Sequence, residues 1–137
     1  MSGNNNLQKY TSRFSDGVEA SNALDDQDTD NLGAFGFLRG TSDRAEMLEL
    51  RRKTGNIRAI GYGWIEKIDF DPSTGVTIYA GDERIRIKGR NLNAVAGRPI
   101  SMLGGIMRHR VPWIMESDQS KTLQAGGSDV VVEAIEW

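Results

Sequence analysis

The chain has no cysteine and one histidine, His109, in 137 residues. Without thiols it can form no disulfide and offer no thiolate nucleophile, and one imidazole cannot assemble a zinc site of the usual Cys/His kind. Proline is scarce, at 3 residues. No apolar run approaches the roughly 18 residues that a membrane-spanning helix needs. The opening segment, Met1 to Gln8, is polar and lacks a signal peptide's basic end and apolar stretch, so the expected location is the cytoplasm, with no membrane contact.

What is present is glycine, 16 residues of it, and a charge that is small in sum but segregated. Many glycines with few prolines favour short strands joined by turns. The net charge is -2, yet residues 1 to 46 carry 4 basic and 8 acidic side chains, residues 47 to 115 carry 12 and 6, and residues 116 to 137 carry 1 and 5. A basic middle between two acidic tails bears on partners and solubility.

Residues 1–31 show no helical or alternating period and are rich in Asn, Ser, Asp and Gln, the composition of a disordered acidic tail. Tyr10 and Phe14 form one apolar island in it. Residues 32–43 hold a second, with Phe35 and Phe37, that reads as a docking segment. Residues 44–116 read as the domain proper. Met47 to Arg52 alternates Leu48 and Leu50 against Glu49 and Arg51, Lys53 to Asn56 turns, and Ile57 to Tyr62 returns. Glu66 to Phe70, Val76 to Ala80 and Glu83 to Lys88 continue the pattern, separated by Asp71-Pro72-Ser73-Thr74-Gly75 and Gly81-Asp82. A helix near residues 100–110, starting at Pro99, would carry Ile100, Leu103, Ile106 and Met107 on one face. Residues 117–128 read as a linker. Residues 129–137 form a strand-prone peptide, ending in Ile135 and Trp137, that either adds to its own sheet or to another protein's edge.

The expected fold is therefore mainly β with one helix: a small antiparallel, partly open barrel of five to six strands, with flexible acidic tails. Its strand order resembles SH3-like, Sm-like and pleckstrin-homology-type barrels. That resemblance is in order only and carries no function over.

Catalytic patterns are few. There is no Gly-x-Ser-x-Gly elbow, and His109 sits between Arg108 and Arg110, whose charge opposes its protonation as a general base. Asp26, Asp28 and Asp30 have the spacing of the first three ligands of a calcium loop, but Asn31 replaces the turn glycine and Phe37 stands where the last glutamate belongs. Gly33, Gly36 and Gly40 lack the Gly-Lys-Ser/Thr of a phosphate loop. Glu66, Asp69 and Asp71 have the spacing of an ordinary polar strand face. No catalytic residue, metal, cofactor or small-molecule substrate is expected.

Binding remains. The first expectation is a non-enzymatic protein-interaction module or assembly subunit, joining another protein or a further copy of itself through a sheet edge and its tails. Phe14, Phe35, Phe37, Ile135 and Trp137 are the candidate anchors. The second is a barrel that binds RNA or single-stranded DNA through Arg51, Arg52, Arg58, Arg84, Arg86, Lys88 and Arg90, with Trp64 stacking on bases if it is exposed rather than in the core.

Overall fold

The computed structural model describes residues 29–40, 42–95, 100–118, 125–127 and 129–137. Tyr10, Phe14, nearly all of the expected N-terminal tail, Pro99 and most of the linker lie outside the described residues.

Alternation builds the first hairpin. In Met47–Arg51 (β3), Leu48 and Leu50 are fully buried while Met47 is exposed, as a two-residue period demands. Ile57–Gly61 (β4) returns antiparallel, with Ile60 opposite Leu48 and Arg58 opposite Leu50. The chain then leaves this sheet through a single 3-10 turn, Tyr62–Trp64. Tyr62 fixes that corner: it is buried, and its hydroxyl donates to the Val111 carbonyl at 2.6 Å. Burial pushes its phenol above the usual range.

Ile65–Asp71 (β5), Gly75–Ala80 (β6) and Glu83–Arg90 (β7) form an antiparallel meander in a second sheet. In the turn between β5 and β6 the Asp71 carboxylate accepts bonds from the Ser73 hydroxyl and amide, at 2.7 and 2.8 Å, which hold its carboxyl below the usual range. Gly75 completes the turn at φ +102, where any side chain would meet the Ile87 carbonyl. Val76, Ile78, Ile85 and Ile87 are wholly buried. A slip of one residue would bury Arg84, Arg86 and Lys88 instead, which fixes the register.

The helix, Met102–Met107 (α1), is shorter than the expected 100–110. Its start is set at Ser101, whose hydroxyl accepts from the Gly104 amide at 3.0 Å, and its end by His109, which takes φ +59. Trp113–Met115 (β8) then pairs parallel to β3, with Ile114 beside Leu50.

Of the two destinations open to the C-terminal peptide, its own sheet is the one taken. Val131–Glu136 (β9) pairs antiparallel with β7, setting Ile135 opposite Ile87, with a bulge between Lys88 and Gly89. Asn91 steers the approach from φ +60, its side-chain amide donating to the carbonyls of Gly127 and Asp129.

The fold is mainly β with one short helix among the described residues. Its strands form three sheets: the hairpin of Thr29–Asn31 (β1) and Gly36–Leu38 (β2), the set β4-β3-β8, and the set β5-β6-β7-β9. None closes into a barrel. The expected continuous meander is divided, because the corner at Tyr62 sends β4 and β5 into different sheets. One apolar cluster draws on the inner faces of both larger sheets, on α1, and on Phe35 and Phe37, and Asn31–Trp137 forms one compact unit.

A side chain at Gly89 would overlap the Val131 carbonyl, so the close approach of β9 to β7 depends on glycine there. Gly89→Ala is expected to destabilise the protein by about 2 kcal/mol through this overlap, read as a lower denaturant midpoint. An unchanged midpoint would show that β9 does not dock as described.

Candidate functional site

The candidate anchors named from sequence are largely consumed inside the chain. Phe35 and Phe37 are 1% and 7% exposed, and Ile135 is 2% exposed. Phe37 packs on α1 at Gly105, where a Cβ would crowd its ring, and the Arg110 guanidinium lies 4.8 Å from the ring centre. Trp137 is half-buried beneath the Arg52 guanidinium, 3.6 Å from its ring centre, with that of Arg58 at 5.2 Å. It also borders an open hollow of about 260 Å³ with Arg84, Arg86 and Glu136. Phe14 lies outside the described residues.

This end of the molecule is organised by Glu116, a charged residue that is only 8% exposed. One carboxylate oxygen accepts from the Lys53 amide at 2.8 Å, and the other from the Ile135 amide at 2.6 Å. The first amide belongs to the turn after β3 and the second to β9, so one side chain joins the two larger sheets. The backbone adds to this: the Glu116 amide donates to the Arg51 carbonyl, and the Ser117 amide to that of Val132. Arg52 donates from Nε to the Ile135 carbonyl at 3.0 Å.

Of the cations proposed to hold nucleic acid, Arg52, Arg58, Arg84 and Arg86 gather around Trp137, whereas Arg51 stands apart and Lys88 and Arg90 continue along β7. Arg84, Arg86 and Lys88 follow the outer side of β7, near Tyr79, whose ring centre is 4.4 Å from the Lys67 ammonium. Lys88 and Arg90 pair with Glu136 and Glu133, at 3.2 and 3.8 Å. Arg51 stands on the other sheet, pairs with Glu49, and lies 4.9 Å from the Trp113 ring centre. Arg52 and Arg58 turn toward Trp137, and Arg58 also meets Glu83 at 2.8 Å. The carboxylates considered for catalysis are dispersed. Glu66 accepts from the Gly81 amide, Asp69 is exposed on β5, and His109 stacks on Tyr62 with ring centres 4.6 Å apart.

The surface that sequence reasoning missed is the outer face of β4-β3-β8. Trp64 is 72% exposed, settling the choice between core and surface for that ring, and Ile57 and Met47 are 60% and 48% exposed. Trp64 lies over Gly61, with Met47 alongside: a Cβ on Gly61 would stand 3.0 Å from the Trp64 ring and 3.7 Å from the Met47 sulfur. Ala59 is exposed, and Trp113 and Met115 continue the face half-buried. A signal for this patch was available. Counting back from the turn sets Ile57 opposite Arg51 rather than Leu50, hence on the polar side of the hairpin. The patch borders β4, an edge strand of its sheet.

Searches against family models, curated proteins and solved structures find no match to this chain.

Glu116→Gln tests the junction. An amide keeps the shape of the side chain but turns one acceptor into a donor facing an N–H, so the expected loss is about 2 kcal/mol, close to that of Glu116→Ala. A midpoint of denaturation within error of the unchanged chain would show that the two amides do not rely on this carboxylate.

Proposed function

We propose that this chain is a non-enzymatic protein-interaction module or assembly subunit that engages its partner through the β4 edge and the outer face of β4-β3-β8. The observation that carries this reading is Trp64. A large ring 72% exposed at the rim of an edge strand, with exposed Met47 alongside and exposed Ile57 at the far end of the same strand beyond the Glu49–Arg51 pair, is the kind of apolar surface that marks an interface. The edge strengthens the case: an extended segment added to an open strand satisfies its backbone while its side chains meet the same face.

The tails, expected to supply the anchors, recede in this reading. Phe35, Phe37 and Ile135 are buried in the core, and Trp137 is covered by Arg52. The nucleic-acid reading loses support for a separate reason. Arg52, Arg58, Arg84 and Arg86 gather around Trp137, but that ring is already covered by Arg52, the expected stacking ring Trp64 lies over Gly61 instead, and Arg51, Arg58, Lys88 and Arg90 are paired with carboxylates. A binding groove for single strands needs cations and stacking rings along one track.

Affinity capture from nuclease-treated and untreated lysate, with the unchanged chain and with Trp64→Glu as baits, tests the proposal. The expected result is protein partners that resist nuclease and are lost with Trp64→Glu. Partners that survive Trp64→Glu but vanish with nuclease would favour the nucleic-acid reading, with Arg84, Arg86 and Lys88 the next residues to change.

A further inference from the structure

The geometry points to a second copy of this chain as the partner of the β4 edge, joined across a two-fold axis through Ala59; this rests on the interaction reading above and names its partner. The phase of the hydrogen bonds comes first. Across the hairpin the Arg52 amide donates to the Asn56 carbonyl at 2.8 Å, and the Tyr62 amide to the Glu46 carbonyl at 2.9 Å. Bonded and non-bonded pairs alternate along an antiparallel ladder, so Leu50 with Arg58 and Leu48 with Ile60 are the bonded pairs between these ends. The backbone groups of Ile57, Ala59 and Gly61 therefore turn away from β3, toward the open edge. That set is symmetric about Ala59. An antiparallel copy sets Ala59 against its own counterpart, exchanging both bonds, and brings the Gly61 amide to the Ile57 carbonyl of the second copy. This is the self-complementarity that a two-fold interface requires.

The side chains obey the same symmetry. Trp64 lies over Gly61, and in this register Ile57 of the second copy falls opposite Gly61, next to the ring. Two exposed apolar groups, 72% and 60% open to solvent, thus cover one another once at each end of the pairing. The outward row Ile57, Ala59, Gly61 carries neither charge nor proline, and the one charge on this strand, Arg58 on its other face, is engaged by Glu83 and Trp137. Charge also selects the antiparallel sense. The hairpin has Arg51, Arg52 and Lys53 at its turn end and Glu46 at the other, and the two-fold sets the basic end of one copy toward the acidic end of the next. Burying two Trp64 rings at roughly 200 Å² each, with Ile57, Met47 and the strand backbones of both copies, removes on the order of 1,000 Å². That lies at the lower limit for a specific interface.

The absence of cysteine makes single-cysteine reporters unambiguous. Ala59→Cys sets two thiols across the axis on Cα atoms about 5.5 Å apart, within the span of a disulfide. Under mild oxidation the full chain carrying Ala59→Cys is expected to form a covalent dimer roughly ten-fold faster than one carrying Asp82→Cys, in the exposed β6–β7 turn, with Trp64→Glu removing the difference. In sedimentation the unchanged chain is expected to gain mass toward a dimer with rising concentration, while Ile57→Lys stays monomeric and folded. Equal cross-linking at both positions, or a monomeric mass throughout, overturns the dimer. If capture of other proteins still depends on Trp64 in that case, the interaction reading stands with a different occupant; if Ala59 cross-links while capture ignores Trp64, the dimer stands and the wider reading falls.

Discussion

The Glu116 carboxylate is buried between two sheets and is bonded to the main chain of both. Burying a charge is costly unless each oxygen finds a donor, and here both do, one from the turn after β3 and one from β9. Bonds of this charge-assisted kind are among the stronger ones in a protein interior. Because the donors are backbone amides, the junction fixes the position of the main chain rather than of other side chains. The remaining features of that end follow: Arg52 reaches the Ile135 carbonyl, and its guanidinium covers Trp137.

Once β9 is held in this way, the distribution of apolar surface changes. The C-terminal peptide completes the four-stranded sheet beside β7, and the aromatic segment around Phe35 and Phe37 fills the core against α1. The apolar side chains left exposed on the β4-β3-β8 sheet are on the opposite side of the hairpin from Leu48 and Leu50, and Trp64 joins them because the corner at Tyr62 swings it over Gly61. The same corner that divides the meander into two sheets thus creates the surface on which the proposed function rests.

Much of the fold is legible in the sequence, and the reason is local. Strong alternation in Met47–Arg51 and Glu83–Arg90, and the Asp71 to Gly75 turn, specify strands and register from neighbours alone. What escapes is set by contacts distant in sequence. Nothing in the vicinity of Glu116 announces that its carboxylate will meet the amides of Lys53 and Ile135. The parallel pairing of β8 with β3 has no local signature, and the helix is cut short by Ser101 and His109 although its apolar spacing runs further. The site is less legible than the fold. Isolated aromatics in polar segments look like free anchors, yet Phe35 and Phe37 belong to the core, whereas Ile57, in a strand that looks ordinary, is exposed.

Hydrogen exchange of individual amides addresses the central claim, that β9 is an integral strand fastened through Glu116. The Lys53 and Ile135 amides are expected to exchange as slowly as those of Ile85 and Ile87 in the middle of the sheet, and to lose that protection together in Glu116→Gln. Exchange of the Ile135 amide at the rate of an unstructured peptide, with Ile85 and Ile87 still protected, would contradict the account.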